Sequence, residues 1–124
     1  MSYFTHTGLD LRNAAKVYFA DLSDEIYQWA QAKGFEPAPA RTFGDECALL
    51  TSEVSEAFEA YRRWGFDDAT GPDGKPEGVH SEFGDVQIRL LHYSKVHNVD
   101  LLDEVHRKMA YNWTRAYRHG DKRL

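Results

Sequence analysis

The strongest constraint on this chain is a helical repeat of apolar side chains. In residues 42–64, Phe43, Cys47, Leu50, Val54, Ala57 and Tyr61 recur in steps of four and three. That period places them on one face of an α-helix and does not fit the period-2 pattern of a half-buried strand. The same steps run through residues 11–33, as Leu11, Ala15, Tyr18, Leu22, Ile26 and Trp29, and through 79–97, as Val79, Phe83, Val86 and Leu90. A fourth helical segment is expected over 101–118. Asp10 and Asp100 are suitable N-caps for the first and fourth, and Gly34 suits a left-handed C-cap.

Glycine and proline mark the breaks between these segments. One runs from Lys33-Gly34 to Pro39, a second over 65–78 with Gly71-Pro72-Asp73-Gly74 as its turn, and a third over Asn98-Val99-Asp100. There is no alternating strand pattern, internal repeat or low-complexity stretch. The expectation is therefore an all-α, four-helix fold occupying residues 1–124 as one domain. The 65–78 connection, at fourteen residues, is long for a compact helical protein, and long loops are often functional.

With 42% apolar and 28% charged residues, the composition is that of a folded protein and not a disordered one. No apolar run approaches the ~20 residues that span a bilayer, and the N-terminus carries no basic-then-apolar leader. Cys47 is the sole cysteine, which excludes an internal disulfide and a cysteine-based metal site. A reducing, cytoplasmic location is the expectation.

Charge is distributed unevenly. Residues 107–124 hold six Lys/Arg against one acid, whereas residues 1–106 hold nine against nineteen. Within the acidic body, Glu53-Val54-Ser55-Glu56 and Glu82-Phe83-Gly84-Asp85 each place two carboxylates side by side on a predicted helix. Ala57 lies only ~40° from Glu53 around the helix and Leu50 ~60°; Val86 and Val79 stand in the same relation to Glu82. The acids thus border the apolar stripes, and Glu46, ~20° from Glu53, is a possible fifth member. At an effective dielectric near 20 and ~5 Å separation, each ionised pair costs roughly 3 kcal/mol, so the cluster needs a compensating cation. An all-oxygen set favours Mg²⁺, Mn²⁺ or Ca²⁺ over zinc, and Mg²⁺ suits sites that also take phosphate oxygens. A di-iron site would need Glu-x-x-His on two helices. Glu77 and His80 have that spacing, but Glu77 sits between Pro76 and Gly78, at a helix start.

In the fourth segment Lys108, Asn112 and Arg115 share one face at i, i+4 and i+7, with chemistry suited to phosphate and sugar oxygens. Among the aromatics, Trp29, Tyr61, Trp64 and His6 are able to stack on a base. Trp29 and Tyr61 lie on apolar stripes, which makes Trp64, beside the long loop, the first candidate.

The run Leu49-Leu50-Thr51-Ser52-Glu53-Val54-Ser55-Glu56-Ala57-Phe58-Glu59-Ala60, followed by Glu82-Phe83-Gly84-Asp85 and by Lys108-x-x-x-Asn112-x-x-Arg115, resembles the MazG-like branch of the all-α nucleoside triphosphate pyrophosphohydrolases. The likeness covers about residues 42–120; Ser81 and Phe83 stand where many relatives carry another acid. The resemblance implies Mg²⁺-dependent hydrolysis of a nucleoside triphosphate, such as a deoxynucleotide or a modified one, to the monophosphate and pyrophosphate, with Mn²⁺ as a substitute ion. It implies that Glu53, Glu56, Glu82 and Asp85 hold the metal, with Glu53 or Glu56 positioning the attacking water. Lys108 and Asn112, and more weakly Arg115, would contact the nucleotide. It also implies a helical bundle completed as a homodimer or homotetramer. Two rival classes stand beside this reading. One is a non-catalytic nucleic-acid-binding protein using the basic end, which would show steep salt dependence and which the acidic body argues against. The other is a helical oligomerisation module, which gains nothing from clustered acids.

Overall fold

The computed structural model describes residues 6–35, 41–118 and 123. The side chains of His6 and Asp10, the prolines of the first break, and Lys122 of the basic end lie outside the described residues. Four helices follow in order: α1 (His6–Ala32), α2 (Phe43–Trp64), α3 (Val79–His97) and α4 (Leu101–Thr114). The described residues form no strand, only one isolated bridge between Thr70 and Pro76 in the long loop. The all-helical expectation therefore holds, with two boundaries shifted. Helix α1 starts at His6, so Asp10 lies inside it, and α4 stops at Thr114, leaving Arg115 as an extended C-cap.

Local chemistry explains the helix ends. Thr42 opens α2 with a reciprocal capping box: its hydroxyl accepts from the Asp45 N–H (3.1 Å), and the Asp45 carboxylate accepts from the Thr42 N–H (2.8 Å). The Thr42 backbone bond, with its hydroxyl bond second, holds the Asp45 carboxyl below its usual range. Asp100 opens α4 by accepting from Leu102 and Asp103. Helix α1 closes with the Gly34 N–H on the Gln31 carbonyl and the Phe35 N–H on the Ala30 carbonyl, with Gly34 at φ 80°. This paired bond pattern needs a left-handed residue, for which glycine carries no steric cost. Asn98 (φ 52°) serves the same purpose at the end of α3.

Helix α3 packs on both α1 and α2. Helix α4 is tied back to α1 by ion pairs: Lys16 reaches Asp103 (3.1 Å) and Asp100 (3.4 Å), and Arg12 reaches Asp103 (3.9 Å). The buried apolar residues are small or central: Ile26 and Ala30 on α1, Ala57 and Ala60 on α2, Val79 on α3. Each predicted stripe contributes one buried member, Ile26 on α1, Ala57 on α2 and Val79 on α3, but the rest of the packed face lies off the stripe on α1 and α2. On α2 the buried positions are Glu53, Ala57 and Ala60, while Phe43, Val54 and Tyr61 are exposed. On α1 they are Ser23, Ile26 and Ala30, while Leu11, Tyr18 and Trp29 are exposed. The alanines are the physical reason: without bulk at those positions α2 approaches α3 closely, and the larger apolar side chains are left outside the seam.

Candidate metal centre

This rotation of α2 carries an acid into the seam. Glu53 lies one turn before Ala57 and is only 8% exposed; Glu82, in the first turn of α3, is 7% exposed. Each of Glu53, Glu82 and Asp85 offers a carboxylate oxygen within 4.8 Å of the others. Glu56 stands outside this three-oxygen group at the exposed rim, close enough to Glu53 and Glu82 to interact with both.

Electrostatics mark the cluster as undercompensated. The Glu56 carboxyl is pushed above its usual range by the hydrogen bond it shares with Glu53, then by burial and by the Glu53 charge. Burial raises Glu82, with the charges of Glu56 and Asp85 adding to it. Burial also raises Asp85, followed by the charge of Glu53. Two cations work in the opposite direction. Arg89, one turn after Asp85, donates from Nε to Glu53 Oε1 at 2.7 Å. Lys75, from the long loop, lowers Glu56, Glu82 and Asp85 through its charge alone.

The loop is built to hold that lysine. The Gly71 N–H donates to the Lys75 carbonyl (2.7 Å), the Gly74 N–H to the Gly71 carbonyl (3.0 Å), and the Glu77 N–H to the Ala69 carbonyl (2.9 Å). At Gly78, which leads into α3, an added Cβ would come within 3.3 Å of backbone atoms of Asp67 and Ala69. The loop therefore folds tightly against the start of the helix that bears Glu82.

A cavity of about 390 Å³ opens beside the acids, with Glu53, Asp85, Trp29, Phe35 and Arg41 in its lining. Glu46, the possible fifth acid, faces this cavity instead, 4.0 Å from Arg41. Trp64 lies at the far end of α2 with the Arg63 guanidinium over its ring. Asn112 donates to the Met109 sulfur, and the Arg115 guanidinium lies over Tyr111. Within the described residues of one chain, Lys108, Asn112 and Arg115 line neither this cavity nor the groove between α1, α3 and α4. The structure thus brings together Glu53, Glu82 and Asp85, seats Glu56 next to them, and leaves the α4 trio and Trp64 apart.

Sequence reasoning passed over Arg89 and Lys75. Arg89 had a usable signal, its i+4 spacing from Asp85 on a helix. Lys75 had none, since only the folded loop brings its charge near the acids. Comparison with family models, curated proteins and solved structures finds no match to this chain.

Proposed function

We propose that this chain hydrolyses a nucleoside triphosphate to the monophosphate and pyrophosphate, with a hard divalent cation held by Glu53, Glu82 and Asp85. One observation carries the reading: three carboxylates from two adjoining helices, two of them buried, have oxygens within 4.8 Å of one another. Buried like charges are costly unless a cation answers them, and the all-oxygen donor set fits Mg²⁺, with Mn²⁺ as its closest substitute. Such an ion, when bound, neutralises phosphate charge and acidifies a water.

The residues divide the remaining work. Glu53, fixed by Arg89 and buried, is an anchored ligand. Glu56, at the rim with a raised pKa, is the better acceptor for the proton of a water that attacks the α-phosphorus. Lys75 stands where it can meet phosphate oxygens as they arrive, its charge already directed at the cluster. The assembly is a homodimer or homotetramer in this reading. Supporting it, Phe43, Val54, Phe58 and Tyr61 on α2 and Val105, Met109 and Trp113 on α4 are all exposed, and apolar side chains of this size on a helix face are the kind a second copy can cover. A second copy would give Lys108 and Asn112 an approach to the phosphates.

The test is pyrophosphate release with Mg²⁺ over a panel of deoxy- and modified nucleoside triphosphates. Glu53→Gln and Asp85→Asn should abolish release, and Glu56→Gln should slow it by ~10²-fold or more. Near-wild-type rates in Glu53→Gln and Asp85→Asn would remove the proposal.

A further inference from the structure

The cavity on the α1 side of the acids has aromatic rings in its wall. Trp29 and Phe35 both line it. Their rings lie 5.5 Å apart at 31°, and both remain about half exposed, at 51% and 54%. They are held in place by the end of α1, because the Phe35 N–H is bonded to the Ala30 carbonyl at 2.8 Å. Glu53 and Asp85, which belong to the carboxylate cluster, line the same cavity. This space therefore joins aromatic ring surface to the place where charge collects. Its volume, about 390 Å³, falls within the range of small-molecule sites.

We propose that this cavity takes the nucleobase of the substrate, stacked on Trp29, while the triphosphate extends toward Glu53 and Asp85. This assignment rests on reading the carboxylate cluster as the phosphate end. The chemistry of the walls selects a base over a phosphate. Both guanidinium groups at the cavity already face a carboxylate, Arg89 that of Glu53 at 2.7 Å and Arg41 that of Glu46 at 4.0 Å. Their charge is thus partly answered and draws an anion less strongly, whereas a neutral heterocycle needs only the ring face. The Arg41–Glu46 pair adds donors and acceptors at one side of the cavity, suited to the polar edge of a base. Trp64, the aromatic favoured from sequence, lies eleven residues beyond Glu53 on α2, roughly 16 Å along the helix, and lines no part of this space.

The test measures binding of α,β-imido nucleoside triphosphates and of inorganic tripolyphosphate, each with Mn²⁺, to wild type and to Trp29→Leu. Base stacking on an aromatic ring is worth enough that its loss should weaken the nucleotide analogue about tenfold, with tripolyphosphate unchanged. Trp29→Phe, which keeps a ring, should recover most of the affinity. Unchanged nucleotide affinity in Trp29→Leu overturns the proposal. So does equal weakening of tripolyphosphate, or a loss seen in Trp64→Leu instead. If Trp29→Leu fails to fold, Phe35→Leu is judged by the same criteria. Mn²⁺ titration without nucleotide judges the metal reading separately. If Mn²⁺ does not bind, quenching of Trp29 fluorescence by metal-free nucleosides still decides the base site: quenching that disappears in Trp29→Phe sustains it, and none overturns it.

Discussion

Replacing Glu82 by glutamine should make the metal-free protein more stable while removing its response to metal. Glu82 is 7% exposed and has oxygens of Glu53 and Asp85 within 4.8 Å. At that separation and an effective dielectric near 20, each ionised pair repels by about 3 kcal/mol. Arg89 answers part of the charge on Glu53 through its 2.7 Å bond, and burial together with the charges of Glu56 and Asp85 tilts Glu82 toward its protonated form. A net relief of about 2 kcal/mol is the reasonable residue of these terms. For a chain of this length that raises the thermal midpoint by roughly 6–10 °C. Glutamine keeps the shape and hydrogen-bonding reach of the side chain, so packing against α2 is preserved. The assay is thermal unfolding of wild type and Glu82→Gln in EDTA and in Mg²⁺ or Mn²⁺. Wild type should gain about 2.7 kcal/mol at a hundredfold excess over its dissociation constant, and the variant almost nothing, so that the order of stability narrows or inverts between the two buffers. A variant less stable than wild type in EDTA, together with a wild type indifferent to metal, would refute the view that these acids await a cation.

The raised pKa values fix a second expectation. Glu56, Glu82 and Asp85 stand above their ordinary 4.5, 4.5 and 3.8, so the folded state holds these protons more tightly than the unfolded chain. The stability they confer is full below those ordinary values and is lost as pH rises through the raised ones. Midpoints measured in EDTA should therefore show a fall contributed by these groups as pH rises from the ordinary carboxylate range toward neutrality. The fall should be smaller in Glu82→Gln/Asp85→Asn, where only Glu56 of the three remains, and metal affinity in the wild type should rise over the same window as protons leave the ligands. Separately, Thr42→Ala removes the hydroxyl half of the α2 capping box, leaving the backbone N–H bond to Asp45 in place, and should cost about 1 kcal/mol in urea unfolding, with no effect on Mn²⁺ binding.

The helices were legible in the sequence because their ends are written in local chemistry. Gly34, Thr42 and Asp100 act on backbone groups within a few residues, and Val79–His97 is bounded as its pattern predicts. The exceptions are α1, which extends back to His6, and α4, which ends at Thr114. The packed faces were less legible. Periodicity locates an apolar stripe but does not say what it meets, and in one chain the stripes of α1 and α2 meet little. The seam keeps Ala57 of the predicted stripe and adds Ala60, a small residue that a reading weighted toward large apolar side chains passes over. Of the acids expected at the border of the stripe, Glu53 and Glu82 lie inside the contact, Asp85 is half-buried and Glu56 is exposed. Spacing on two helices was enough to gather Glu53, Glu82 and Asp85 as candidates. It could not find Lys75, whose position depends on a folded loop, nor reveal that the α4 trio stays away from the acids within one chain.

The two alanines of the seam have a consequence for ion choice. Ala57 and Ala60 are almost wholly enclosed, and Ala57 lies one helical turn from Glu53. With so little free space around them, a bulkier residue at Ala57 is expected to displace the segment that carries Glu53 and widen the gap between the carboxylates. A wider gap would favour an ion with longer oxygen distances, Ca²⁺ at ~2.4 Å over Mg²⁺ at ~2.1 Å. Selectivity by ionic radius would then be governed by side chains that never touch the ion.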